Sequence, residues 1–164
     1  MLYTIAKRLD QRGLIGKAQA HCDIPCGIYD PQPALIAALS VVRLMDIMHE
    51  GAGGDDAVGT ANLLARNALR KEEEAEKVKH EVRVIWGDYF KGPLLEKFPH
   101  IHTLAHSIML KASACKQEVH REDGEALVEL VNQFAEAFWE SKGKTSSRHT
   151  APYAPGLPVV YPNL

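Results

Sequence analysis

The chain has 164 residues, about one domain's length, with 46% hydrophobic and 24% charged residues, an ordinary balance for a protein that buries its own core. No stretch approaches the run of about 18 apolar residues that a membrane-spanning helix needs. A formal net charge of −2 lacks the basic footprint of general nucleic-acid binding, so neither a membrane nor a nucleic acid is expected as a partner. Three cysteines exclude a disulfide scaffold and leave one odd thiol, and aromatics at 7% lean away from an all-β chain.

The first 20 residues differ from the rest. Lys7, Arg8, Arg12 and Lys17 stand there against one acid, Asp10, and the segment ends Ala18-Gln19-Ala20, a small-x-small pattern that proteases cut after. Its apolar pieces, Met1-Leu2-Tyr3 and Leu14-Ile15, are too short for the core of a secretory signal. Two readings stand: a short amphipathic leader, or a propeptide over residues 1–20 removed after Ala20. The lack of an export signal favours the cytoplasm.

Asp30-Pro31 opens a helical stretch in which Leu35, Leu39, Val42 and Met45 recur at spacings of three and four, the period of one buried face. It stops at Gly51-Ala52-Gly53-Gly54. Asp55 and Asp56 are candidate caps for a second helix over about residues 57–87. Its acidic and basic middle is a solvated face, and Val78, Val82 and Ile85 restore the buried stripe. Residues 88–99 read as a loop. A third helix runs from Pro99 to about Lys116 with Ile101, Leu104, Ile108 and Ala112 inward and Cys115 as a small buried residue. A fourth opens at Asp123-Gly124-Glu125, places Leu127, Leu130, Val131, Phe134 and Phe138 inward, and closes near Lys142-Gly143. Four amphipathic helices and no clear strand pattern predict an all-α fold, a four-helix bundle over residues 30–142. The tail over residues 143–164 carries Pro152, Pro155, Pro158 and Pro162 and is expected to be irregular. Tyr153, Leu157, Val159, Val160 and Tyr161 make it apolar enough to dock on the bundle or on a neighbouring subunit.

The chemistry concentrates in His21-Cys22-Asp23-Ile24-Pro25-Cys26-Gly27-Ile28-Tyr29-Asp30-Pro31. Two cysteines four residues apart beside a histidine fit a small disulfide loop, part of a zinc site, or another metal site. A structural zinc site wants four protein ligands, and no second cysteine pair exists. Cleavage after Ala20 would make His21 the first residue. Its α-amine, the Cys22 amide nitrogen and the Cys22 thiolate then form fused chelate rings, and Cys26 adds a second thiolate. A planar set of two nitrogens and two sulfurs suits Ni(II) or Cu(II), and thiolates favour redox-active centres. The His21 imidazole is available as an axial ligand. Without cleavage the amine does not exist, so a propeptide would keep the metal off the unprocessed chain.

This stretch resembles the nickel hook of the nickel superoxide dismutases, whose mature chains begin His-Cys-Asp-x-Pro-Cys-Gly-x-Tyr. The resemblance continues in Trp86-Gly87-Asp88-Tyr89-Phe90-Lys91, Glu96-Lys97-Phe98-Pro99 and Phe138-Trp139-Glu140, and so spans about residues 21–142. It implies a four-helix bundle assembled as a homohexamer with one nickel per subunit. It implies dismutation of superoxide to oxygen and hydrogen peroxide by Ni(II)/Ni(III) cycling. The ligands it implies are His21, Cys22 and Cys26. Pro25 would carry a cis peptide bond that tightens the hook, Asp23 would help fix it, and Tyr29 with Tyr89 would line the opening above the metal. A maturation protease is implied as a partner. The chain departs from the family where a Glu and an Arg hold the imidazole: alignment places Ala37 and Glu74 there. Glu74 either accepts a hydrogen bond from the His21 ring or is one more acid in a solvated run. The tail is also longer than the family pattern.

Other candidates are weaker. His100, His102 and His106 lie close together, two of them one helical turn apart, without the Glu of a metalloprotease motif, and read as surface histidines. No histidine has a Glu three residues before it, which removes a di-iron bundle. A helical nickel or copper binding or delivery module without turnover is the alternative function. The tyrosines, Asp23 and Pro25 favour the enzyme, since binding alone does not need them.

Overall fold

The computed structural model describes residues 27–164 together with Tyr3, Thr4 and Lys7. Four long helices carry the fold. Helix α1 (Gln32–Gly51) starts where the Asp30 carboxylate accepts the Gln32 N–H at 2.8 Å, and Pro33 suits a first turn whose N–H groups have no partner within the helix. Helix α2 (Ala57–Val84) is capped by Asp56, which accepts the Val58 N–H at 3.1 Å. It passes into a single π-helical turn (Ile85–Tyr89), closed by the Phe90 N–H on the Ile85 carbonyl. A five-residue helix α3 (Pro93–Lys97) leads to α4 (Ile101–Gln117) and α5 (Arg121–Ser141). The loop expected over residues 88–99 is thus partly helical: the π-turn and α3 occupy much of it.

The packed neighbours are α1 with α2, α2 with α4, α4 with α5 and α5 with α1, a closed ring of four antiparallel helices. The expected stripes form its core. Leu35, Leu39, Val42, Met45, Val78, Val82, Ile85, Ile101, Leu104, Ile108, Ala112, Cys115, Leu127, Val131, Phe134 and Phe138 are all buried, while Leu130 is only half-buried. Each large side chain so removed from water contributes about 1.5–3 kcal/mol. Gly124 allows the closest approach of α5 to α1, because a Cβ there would lie 2.8 Å from a Val42 methyl. Lys71 is the one buried cation among the described residues. Its ammonium donates to the carbonyls of Cys115, Lys116 and Glu118 at 2.5, 3.1 and 2.7 Å, which closes the C-terminal end of α4 from outside the helix.

Gly143, at φ +70°, ends α5. Its N–H donates to Glu140 and the Lys144 N–H to Trp139, the paired bonds of a glycine-terminated helix. Here the tail corrects the sequence expectation. It is not irregular: β1 (Ser146–Thr150) and β2 (Pro158–Pro162) form an antiparallel hairpin in the register Arg148 with Val160. The prolines sit at the two ends of β2 and in the connecting turn, where a missing N–H breaks no central ladder bond. Val159 and Val160 are fully buried against the bundle. Asn132, on α5 and 1% exposed, donates to the Pro158 carbonyl at 2.8 Å and accepts the Val160 N–H at 3.0 Å. Arg148 pairs with Glu129 and Glu136 at 2.6 and 2.7 Å across the same face. Of the two expected docking places, the bundle or a neighbouring subunit, the hairpin takes the bundle.

Replacing Asn132 by Leu keeps its side-chain branching and leaves two hairpin backbone groups without partners. Urea unfolding should show a loss of about 2–4 kcal/mol. A loss under about 0.5 kcal/mol, within surface-mutation scatter, would mean that Asn132 does not hold the hairpin.

Candidate active site

Antiparallel packing decides what meets at one end of the bundle. The chain enters α1 there, α2 ends there through its π-turn, α4 begins there and α5 ends there. Residues 27–29, immediately C-terminal to the candidate ligand segment, therefore lie beside the ends of α2 and α5. Gly27 makes that entry at φ +88°, a conformation that favours glycine.

Tyr29 and Tyr89 are brought together, with ring centroids 5.6 Å apart and planes at 49°. Both are half-buried. Tyr89 is displayed by the π-turn and packs against Phe90 at 5.2 Å and Phe138 at 5.0 Å. Phe90 continues edge-on to Phe98 and Phe134, which roots the tyrosines in the core. Trp86, from the same turn, donates its indole N–H to His102 Nδ1 at 2.9 Å. In that bond His102 Nδ1 is the acceptor. His100, His102 and His106 are exposed, as expected. No group of three metal-ligating side chains occurs among the described residues.

Two site residues were missed by the sequence reading. Ser141 Oγ lies 2.7 Å from the Tyr89 hydroxyl and donates to the Phe138 carbonyl at 2.6 Å. A serine has one proton, so with that proton on the carbonyl the Tyr89 O–H is the donor to Ser141. The chain of bonds runs from Tyr89 to Ser141 and ends on the backbone. Lys142 places its ammonium over the Tyr89 ring at 4.5 Å and over Phe138 at 5.6 Å. From sequence, its position after α5 marks it only as a helix-end cation. The signal was present in the spacing: Ser141 and Lys142 stand three and four residues after Phe138, on its face of the helix.

The remaining sequence candidates separate. His21, Cys22, Asp23, Pro25 and Cys26, and residues 1–20, lie outside the described residues. Ala37 is fully buried and offers no polar atom. Glu74 is not in a fully solvated run: its side chain is 20% exposed and faces Arg70 at 4.0 Å. It lines a cleft between α1 and α2 with Ser40, Arg43, Arg70 and Tyr153. Glu74 stands 15 residues before Tyr89, about 22 Å along the helix at 1.5 Å per residue. The described residues do not bring it to the tyrosine pair. Cys115 is fully buried, and burial pushes its thiol up to about 11, so it stays protonated at neutral pH and is not a ligand.

A double-mutant cycle on Tyr89→Phe and Ser141→Ala should give a coupling of about 0.5–1.5 kcal/mol by chemical denaturation. Strict additivity of the two variants would contradict the hydroxyl chain.

The sequence matches the family described as nickel-containing superoxide dismutase over residues 16–142. It is 40% identical over 123 residues to a nickel superoxide dismutase of Streptomyces coelicolor, covering 75% of this chain and 88% of the relative. It is 38% identical over 126 residues to that of Streptomyces seoulensis, covering 77% and 91%. The fold is similar to a native nickel superoxide dismutase structure at 1.30 Å, with a TM-score of 0.65 and 38% identity over 74% of this chain and 99% of that one. A structure whose nickel ligation corresponds to the oxidised state matches at a TM-score of 0.67 and 36% identity over 75% of this chain and 99% of that one.

Proposed function

The chain belongs to the nickel-containing superoxide dismutases, and from that premise we propose that its nickel is held by residues 21–26 and served by the Tyr29–Tyr89 entrance. The enzyme is a nickel-dependent oxidoreductase acting on superoxide. The observation that carries the finer reading is the contact of Tyr29 with Tyr89 at the end of the bundle where the ligand segment joins it.

The donor set fits nickel. His21 would give its α-amine and imidazole, Cys22 its amide nitrogen and thiolate, and Cys26 a second thiolate, a soft and strongly donating group of ligands. Bound nickel would supply a one-electron couple able to accept an electron from one superoxide and return one to another. Of the three cysteines, Cys115 is withdrawn by burial, which leaves Cys22 and Cys26 for the metal. Three residues of chain separate Cys26 from Tyr29, about 11 Å at full extension, so whatever Cys26 binds is tethered within reach of the tyrosine pair. Asp23 and Pro25 would fix the shape of the segment.

The chain's own residues control access and protons. Tyr29 and Tyr89, backed by Phe90 and Phe138, narrow the approach to small species and shield oxidisable thiolates from bulk peroxide. The Tyr89 proton is tied to Ser141 and through it to a carbonyl, so Tyr89 orders the entrance and solvent supplies the two protons of hydrogen peroxide. Processing after Ala20 by a maturation protease would expose the His21 amine. Assembly as a homohexamer and a cytoplasmic location complete the reading. No described helix is long and apolar enough to cross a membrane. A delivery module has no use for a rooted tyrosine entrance, which favours the enzyme.

Cys22→Ser and Cys26→Ser should each reduce bound nickel and superoxide turnover to background, measured by elemental analysis and pulse radiolysis. Cys115→Ser should retain both. Full turnover in Cys26→Ser, or nickel loss in a folded Cys115→Ser, would refute the ligand assignment.

A further inference from the structure

We propose that the leader over residues 1–20 docks back on the bundle, seating Leu2, Ile5 and Leu9 in an apolar groove between α1 and α2 at the end opposite the tyrosine pair. Only the freeing of that groove by cleavage rests on the reading that the chain is processed after Ala20. The leader supplies one half of the fit. Leu2, Ile5 and Leu9 recur at spacings of three and four, one stripe of a helix. Tyr3, Thr4 and Lys7 are helical and exposed. At about 100° per residue they fall on the face opposite that stripe. A lone helix this short is marginal in water, so its apolar stripe needs a surface to cover it.

The groove supplies the other half. Met48 and Ala52 from the end of α1, Leu64, Ala65 and Ala68 from α2, and Val119 from the α4–α5 connection line a cleft of about 450 Å³. His49 also lines it, but its Nε2 is engaged with the Val119 carbonyl at 2.8 Å. By contrast, the cleft between α4 and α5 carries Glu136 and Glu140, and the one beside Tyr153 carries Arg43, Arg70 and Glu74. Charge complements the apolar fit. Asp55 and Asp56, which follow Ala52, and Glu118, which precedes Val119, are exposed, while Arg8 and Arg12 flank the leader's stripe. The reach is sufficient. Helix α1 has 20 residues, about 30 Å, and Leu9 stands 18 residues before Gly27, up to about 60 Å of chain. The tether thus spans the bundle at about half its full length and presents Ala18-Gln19-Ala20 as open chain, the form in which proteases engage a substrate. While tethered, the leader meets the groove at a high effective concentration; cleavage after Ala20 removes that advantage and frees the groove.

The test is methyl NMR on the full chain from Met1, comparing wild type with the double variant Ile5→Asp/Leu9→Asp, which leaves the bundle core untouched. The Met48, Ala65 and Ala68 methyl resonances should each move by more than a linewidth. From the other side, Ala68→Glu in the groove should make the backbone amides of residues 5–9 exchange with deuterium about tenfold faster than in wild type. Unmoved methyls, or equal leader exchange in wild type and Ala68→Glu, would overturn the proposal. Labelled double variant mixed with unlabelled wild type should keep its own shifts. Restoration of the wild-type shifts in that mixture would assign the groove to the leader of a second copy and overturn the proposal as well. A chain that still starts at Met1 after treatment with its maturation protease would instead overturn the processing reading, and with it the release of the groove, while the methyl shifts decide the docking separately.

Discussion

The site depends on how Tyr89 is held. A π-turn at the end of α2 turns this side chain away from the helical stripe. Four contacts then fix it: Phe138 and Phe90 against the ring, Ser141 on the hydroxyl, and Lys142 over the face. All but Phe90 come from the last turn of α5 and the residue after it. Tyr29 meets the ring that this arrangement holds in place. The α2 and α5 ends meet in turn because antiparallel packing puts them at one end of the bundle, with Gly124 letting α5 close against α1 at the other.

The long helices were legible because burial follows the 3.6-residue period, and Leu35 to Met45 or Ile101 to Ala112 carry little else. The tail was not. Its prolines exclude a helix, but whether such a segment pairs with itself depends on distant groups, here Asn132 and the Glu129 and Glu136 carboxylates on α5. The Ile85–Tyr89 turn was hidden for a related reason: one extra residue in a helical turn leaves no mark in composition. The motif residues Tyr29 and Tyr89 were legible as types and as a resemblance, and the structure adds their contact. Ser141 and Lys142 look like ordinary helix-end residues until Phe138 is known to touch Tyr89.

One feature of this chain lies beyond the family match. The hairpin follows the family-matched residues, which end at 142, and its turn places Tyr153 in the α1–α2 cleft that also holds Glu74. Position 37 has no polar group. The tyrosine end of the bundle is set by aromatic packing, and the cleft between α1 and α2 is lined by side chains on a half-exposed helix face.

The central claim is that a nickel centre forms on a processed chain beginning at His21. Native mass spectrometry of protein produced with its maturation protease and nickel tests it in one spectrum. The account predicts a chain mass starting at His21 with one nickel per chain in a hexamer. A chain still starting at Met1 that holds nickel, or a processed chain holding zinc or no metal, would contradict it.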